Sequence, residues 1–216
     1  EYLEKVDDTE LKRMVREAEE YHNKFLENAV EIMAHQRSHI ASENRADLIM
    51  SDFDQNTEEL DQLLADYEAE LTQTQKIDEK VDASMESKSL MWQQKAIAEE
   101  YMGVESLDET KPLRKAFKET VAEFDTLDAL LPEKIVKEHA DFSEMAVKMF
   151  DQHDEALRAH VETRTHMGMV DEFSGKANLL MEKGELAAQD SMEASMVAAA
   201  ASQATANGLI IVFTVT

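Results

Sequence analysis

Cysteine is absent from this sequence of 216 residues, and glycine, proline and basic residues are scarce. The lack of cysteine excludes disulfides and thiol catalysis, and it leaves the redox compartment open. With only five glycines and two prolines, interruptions of regular structure should be rare. Lysine and arginine number 22 against 47 acidic residues, for a net charge of −25. So acidic a chain excludes binding to nucleic-acid phosphates and disfavours an anionic membrane surface.

Catalytic motifs are also missing. The sequence has no glycine-rich phosphate loop, no serine elbow and no paired histidines of a metalloprotease. A di-metal carboxylate bundle needs Glu-x-x-His on two helices, but only Glu19 to His22 fits, and the stretch at 163–166 begins with Thr163. The sequence therefore predicts a protein that is not an enzyme, with no cofactor and no metal.

Apolar residues recur at three- and four-residue spacing through most of the chain, which predicts an all-α protein. A first helix is predicted from Thr9 to about Met50, with a polar break at 38–44 and a turn at 51–56. Further helices are predicted at about 58–102, ending before Gly103, and at about 111–131. The next begins after Pro132 and turns near Gly168, although an unbroken helix over 133–205 is the alternative. Short connections favour up-and-down helices in two stacked four-helix bundles that share two long helices.

The last long helix carries a heptad seam of small and apolar residues between Val170 and Thr205. Such a seam predicts close packing against partner helices. No charge follows Glu193, and the chain ends on an apolar run at 208–216. Nine residues are too few to cross a bilayer, which needs about 20. We expect residues 208–216 to be the start of a truncated transmembrane helix.

Three stretches carry a resemblance to a known family. They are Ala98–Gly103, Phe117–Asp125 with its spaced aromatics, and the small-residue helix that ends in Asn207–Val212. Together they resemble the extracytoplasmic sensor domain of bacterial chemoreceptors (methyl-accepting chemotaxis proteins), in the helical bimodular variant. The resemblance implies a sensor domain over 1–207. Its membrane-proximal bundle would use about 1–80 and 185–207, and its membrane-distal bundle about 81–184.

The resemblance also implies a function. The chain would be the periplasmic ligand-sensing module of an inner-membrane chemoreceptor that signals in chemotaxis. It would form a homodimer and transmit a small helix displacement to a cytoplasmic region. The alternatives are the sensor domain of a histidine kinase, or a structural or interaction bundle that binds no small molecule.

A group of cations around the single tryptophan suggests the ligand site. Lys88 and Lys95 fall at or beside the apolar seam of the 58–102 helix, where an unpaired charge is costly. If the helices turn at the end of the bundle at Gly103 and Gly168, the helical rise per residue brings further polar residues to the level of Trp92 along the bundle. The predicted site, for a small organic anion such as a carboxylate, consists of Lys88, Trp92, Lys95, Arg114, Lys118, Arg158 and Asn178. The alternative is that these cations pair with acids of neighbouring helices.

Four histidines have spacings that can place two imidazoles on one helix face. His35 and His39 are four residues apart, and His153 and His160 are seven apart. A metal site requires such a face, but it also needs ligands converging from other helices. Because spacing alone does not provide that convergence, we interpret them as ordinary surface or seam histidines.

Overall fold

The computed structural model describes residues 9–73 and 79–214, with side chains as far as residue 203. Four α-helices make up this part of the chain: α1 (Thr9–Gln73), α2 (Glu79–Met102), α3 (Leu107–Asp125) and α4 (Glu133–Thr214). A short 3-10 helix, Asp128–Leu130, lies between α3 and α4. The described residues contain no strand, and the all-α prediction is confirmed.

Helix α1 runs unbroken for 65 residues, so the predicted break at 38–44 and the predicted turn at 51–56 are wrong. Its buried seam continues through both places, from Ser42 and Ala46 to Phe53 and Thr57. The Thr57 hydroxyl donates to the carbonyl of Phe53 at 2.8 Å, inside the helix. Polar residues such as Asp52 face solvent here, which a long packed helix accommodates.

The predicted helix over 58–102 is also wrong, because α2 packs antiparallel against α1. The Ser84 hydroxyl donates to the carbonyl of Leu64 at 3.4 Å, and Lys95 lies 2.6 Å from Asp54. Residue numbers rise along α2 as they fall along α1, so α1, which ends at Gln73, and α2, which begins at Glu79, are separate antiparallel helices. The predicted end of the helix before Gly103 is confirmed, since α2 ends at Met102.

Helix α3 is shorter than the predicted 111–131 helix and ends at Asp125. The predicted start after Pro132 is confirmed, since α4 begins at Glu133. The predicted turn near Gly168 is wrong, because α4 continues through it for 82 residues in all. The alternative of an unbroken helix over 133–205 therefore holds. A Cβ added at Gly168 would meet no atom within 4 Å, so no close approach requires this glycine.

The chain divides into two units. The four-helix unit (residues 33–163) contains the second part of α1, all of α2 and α3, and the first part of α4. Its core is aromatic: Phe53 stacks on Phe142 with ring centroids 4.3 Å apart, and Tyr101 stacks on Phe150 at 3.9 Å. These four side chains are fully buried.

The two-helix unit (residues 1–32 and 164–216) contains, in its described part, the start of α1 and the end of α4. The seam predicted on α4 between Val170 and Thr205 is half-buried from Val170 to Ala187, but its described residues from Ser191 to Ala201 are exposed. Tyr21 on α1 stacks against Phe173 on α4 with ring centroids 6.2 Å apart. No described side chain of this unit is fully buried.

Candidate functional site

The outer face of α2 gathers three of the predicted site residues. Lys88 forms an ion pair with Asp61 of α1 at 2.9 Å, and the indole Nε1 of Trp92 donates to the same carboxylate at 3.1 Å. One turn further on, Lys95 donates to Asp54 at 2.6 Å. Both acids come from α1, so this face, which we call the α2 face, is built where α1 and α2 pack side by side.

The α2 face is partly apolar and open to solvent. Trp92 is 44% exposed and Met85, two helical turns before it, is 56% exposed. The Lys95 ammonium lies 5.9 Å from the centroid of the indole, within cation–π range. The hydrogen bond to Asp54, together with nearby carboxylates, raises the pKa of Lys95. Each cation already has a carboxylate partner, so an incoming anion must compete with that partner.

A second polar cluster joins α2, α3 and α4. The buried Tyr101 donates its hydroxyl hydrogen to Asp154 at 2.7 Å and accepts from Arg114 at 3.2 Å. Arg114 also pairs with Asp151 at 2.8 Å and with Asp154 at 3.2 Å. Burial, followed by the hydrogen bond to Asp154, raises the pKa of Tyr101. This cluster fixes the ends of the α2–α3 hairpin against α4.

The seven predicted site residues therefore do not share one layer. Arg158 joins the second cluster through Asp154 at 3.8 Å, whereas Lys118 is exposed on α3. Arg114 contacts Tyr101, nine residues beyond Trp92 along α2, which is about 14 Å at helical rise. Asn178 belongs to the two-helix unit, and its placement beside the others assumed a turn at Gly168. The predicted layer assumed tips at Gly103 and Gly168. The turn after Met102 is present, but α4 continues through Gly168.

Sequence reasoning missed a buried polar pair inside the four-helix unit. His139 of α4 lies on Phe124 with ring centroids 3.4 Å apart, and its Nε2 lies 3.0 Å from the amide oxygen of Gln94. Burial lowers the pKa of His139 to about 4, so the imidazole is neutral near pH 7. The amide nitrogen of Gln94 and the hydroxyl of Ser87 have no partner within the described residues. Ser87 and Gln94 are seven residues apart on α2, which places both side chains on one helix face. This spacing was the signal available in the sequence.

The two-helix unit contains an open apolar groove of about 540 Å³ between α1 and α4. Leu11, Val15 and Ala18 line one side, and Ala177, Leu180 and Gly184 line the other. A Cβ added at Gly184 would lie 3.6 Å from the Leu11 side chain, an ordinary van der Waals contact, so the helix spacing here does not require a glycine. The small seam residues that line this groove leave an apolar surface in contact with water.

The comparisons with known proteins concern the fold. No protein-family model and no curated protein matches this chain. The chain is similar to a solved structure, the crystal structure of the TorS sensor domain–TorT complex in the presence of TMAO. The TM-score is 0.57 and the sequence identity 12%, over 82% of this chain and 78% of that chain. At this identity the likeness shows the helical fold alone, and it does not single out a chemoreceptor.

Within the described residues, no helix has an apolar stretch long enough to cross a bilayer. The predicted membrane entrance at 208–216 lies beyond the residues whose side chains are described.

Proposed function

We propose that this chain is the extracytoplasmic sensor domain of a transmembrane signalling receptor, either a histidine kinase or a chemoreceptor. The observation that carries the proposal is the fold, which matches a sensor domain over 82% of the chain. The uninterrupted α4 supports it, because one helix of 82 residues contains parts of both units. A rigid helix carries a small displacement along its length, and a bias of a few kcal/mol suffices to shift a two-state packing.

As the signal that the sensor domain detects, the geometry favours a protein partner that docks on the α2 face. An exposed tryptophan beside an exposed methionine is typical of the anchors that dominate protein interfaces. Asp54, Asp61, Lys88 and Lys95 surround the indole, and such a polar rim favours orientation of a partner. The similar TorS sensor domain is itself described in complex with TorT.

Direct binding of a small organic anion at the same face is the second candidate. Lys88 and Lys95 are concentrated around Trp92 in an otherwise acidic chain, which favours it. Their pairing with Asp61 and Asp54 opposes it, because the anion must displace both carboxylates. Trp92 is the only tryptophan, so its fluorescence reports this face alone. Titration with organic acids should change its emission if this candidate is right, and Lys95→Ala should abolish the change. Emission unaffected by every acid would reject it.

We propose further that the receptor is a homodimer through the two-helix unit. Its described residues include several exposed apolar side chains on both helices, among them Leu26 at 47%, Val30 at 58% and Leu186 at 62%. A second copy would supply two more helices and cover both the groove and these side chains. Sedimentation at rising concentration should show dimers of the full chain, weakened by Leu180→Glu. A monomer at every concentration would contradict the dimer.

Signalling itself is tested by placing the chain between the membrane spans of a receptor kinase that drives a reporter gene. We expect insertion of two residues after Ala198 to change the basal output, because it rotates the rest of the helix by about 200°. Insertion of seven residues, which nearly restores the phase, is the matched control and should return the output toward its original level. Equal output from all three versions would contradict a sensor that signals through α4.

A further inference from the structure

Two histidines that the proposed function does not use lie close together within the four-helix unit. His39 of α1 and His160 of α4 have ring centroids 5.4 Å apart, with their planes at 51°. Glu43, one turn after His39, places a carboxylate oxygen 3.6 Å from the Nε2 of His39. Convergence of ligand types from two helices is the requirement that sequence spacing alone did not meet.

The hydrogen bond on the far side of His39 fixes its tautomer. The Nδ1 of His39 lies 3.0 Å from the carbonyl oxygen of Ala156. A carbonyl only accepts hydrogen bonds, so Nδ1 carries the proton and donates it. In the neutral imidazole the lone pair is then on Nε2, which lies on the side of Glu43. A backbone carbonyl that orients a histidine in this way is the usual outer shell of a metal ligand.

We propose that His39, Glu43 and His160 form a binding site for a transition-metal cation of the Zn²⁺ type. Two imidazoles on one tetrahedral zinc have ring centroids about 5 Å apart, and adjacent nitrogen and oxygen ligands are about 3.3 Å apart. The observed separations of 5.4 Å and 3.6 Å are close to both values. The exposed His160 must turn one ring nitrogen toward the other two ligands, a rotamer change that its exposure permits.

The bound cation would cross-link α1 to α4. Two ligands come from α1 and one from α4, and water would complete a tetrahedral shell. Imidazole and carboxylate ligands favour zinc and similar ions over Mg²⁺, which prefers oxygen ligands. This site is independent of the proposed sensor function, because it rests on the three side chains and their separations alone.

The test is a zinc titration of the full chain by isothermal calorimetry at pH 7.5 in the presence of excess Mg²⁺, which saturates the acidic surface. We expect one tight site, weakened at least about tenfold by His160→Gln and by Glu43→Gln. His22→Gln is the matched control, an exposed histidine of the two-helix unit, and should leave the affinity unchanged. Circular dichroism would verify that each variant is folded.

Two further measurements decide the location and the ligands. Cobalt(II) in place of zinc should give the intense visible bands of a tetrahedral site. His35 has a ligand atom within 4.8 Å of a Glu162 oxygen, so His35→Gln tests the nearest competitor. Zinc affinity lost in His35→Gln but kept in His160→Gln would overturn the proposal. Zinc binding that Mg²⁺ abolishes would overturn it as well.

Discussion

The two units of this molecule differ in whether they enclose a core. Within the described residues every buried side chain lies in the four-helix unit, where Phe53, Phe142 and Tyr101 are fully covered. The two-helix unit has apolar side chains of similar size, but Leu186, Met192 and Met196 are each more than 60% exposed. Two helices bury one stripe of each other, whereas four helices surround a volume.

This difference indicates where stability and where binding reside. Burial of apolar area stabilises by about 25 cal/mol per Å², so the aromatic core should make the four-helix unit stable by itself. The two-helix unit lacks that contribution, and its exposed apolar surface is of the kind that marks an interaction site. The predictions below test this contrast, from the largest expected effect to the smallest.

Truncation of a core aromatic should damage the four-helix unit far more than an equivalent change damages the other. Phe142→Ala removes the ring stacked on Phe53 and should lower the free energy of unfolding by about 3–5 kcal/mol. Leu180→Ala, in the half-buried seam of the two-helix unit, should cost less than about 1 kcal/mol in the monomer. Urea denaturation followed by circular dichroism measures both. Equal losses would remove the contrast.

Acid should destabilise the four-helix unit through His139. Its pKa is about 4 in the folded chain, against the ordinary histidine pKa of 6.5, so the unfolded chain binds the proton first. The contribution of neutral His139 to the free energy of unfolding is therefore complete above pH 6.5. It is lost as the pH falls toward 4, by about 3 kcal/mol in all. His139→Phe keeps a ring on Phe124 but does not titrate, and it should flatten this pH dependence.

The control for that experiment is His22→Phe, which changes an exposed histidine of the two-helix unit. It should keep the pH dependence of the original chain. If His139→Phe keeps it too, other groups titrate in its place.

Removal of one tyrosine hydroxyl should also lower the free energy of unfolding more in the four-helix unit than in the two-helix unit, but by a smaller amount. Tyr101→Phe deletes the hydrogen bonds to Asp154 and Arg114 within the second cluster, and it should cost about 1–3 kcal/mol. Tyr21→Phe is the matched control in the two-helix unit, where the half-buried ring stacks on Phe173. It should change the free energy of unfolding by less than about 0.5 kcal/mol. A cost for Tyr101→Phe as small as that expected for Tyr21→Phe would show that the cluster adds no stability.

The smallest effect is expected on the α2 face. Lys88→Met breaks the ion pair with Asp61, whose side chain is 29% exposed, and should change the free energy of unfolding by less than about 1 kcal/mol. Denaturation at low and high salt would measure it, since an exposed pair weakens as salt rises. A loss of several kcal/mol would indicate a structural pair, and it would weaken the case for this face as a docking surface.

Several features were determined by the sequence alone, because they depend on local chemistry. The scarcity of glycine and proline, with continuous apolar periodicity, predicts an all-α chain. Gly103 and Pro132 mark boundaries that local backbone preferences impose, and α2 ends and α4 begins beside them. The predicted seam is half-buried from Val170 to Ala187, since heptad spacing selects one face of a helix whatever its partner, but from Ser191 to Ala201 it is exposed.

Only the tertiary structure decided which helix faces meet. Gly168 carries a turn signal, but a glycine inside a helix costs only about 1 kcal/mol, which a long packed helix tolerates. The same cations could face a cavity or a carboxylate, and the antiparallel pairing of α1 with α2 brought Asp54 and Asp61 to Lys95 and Lys88. Likewise His39 and His160 lie 121 residues apart in the sequence, and only the packing of α1 against α4 brings their rings together. Periodicity specifies the face that each helix buries. Which helix packs against that face depends on how the whole chain folds.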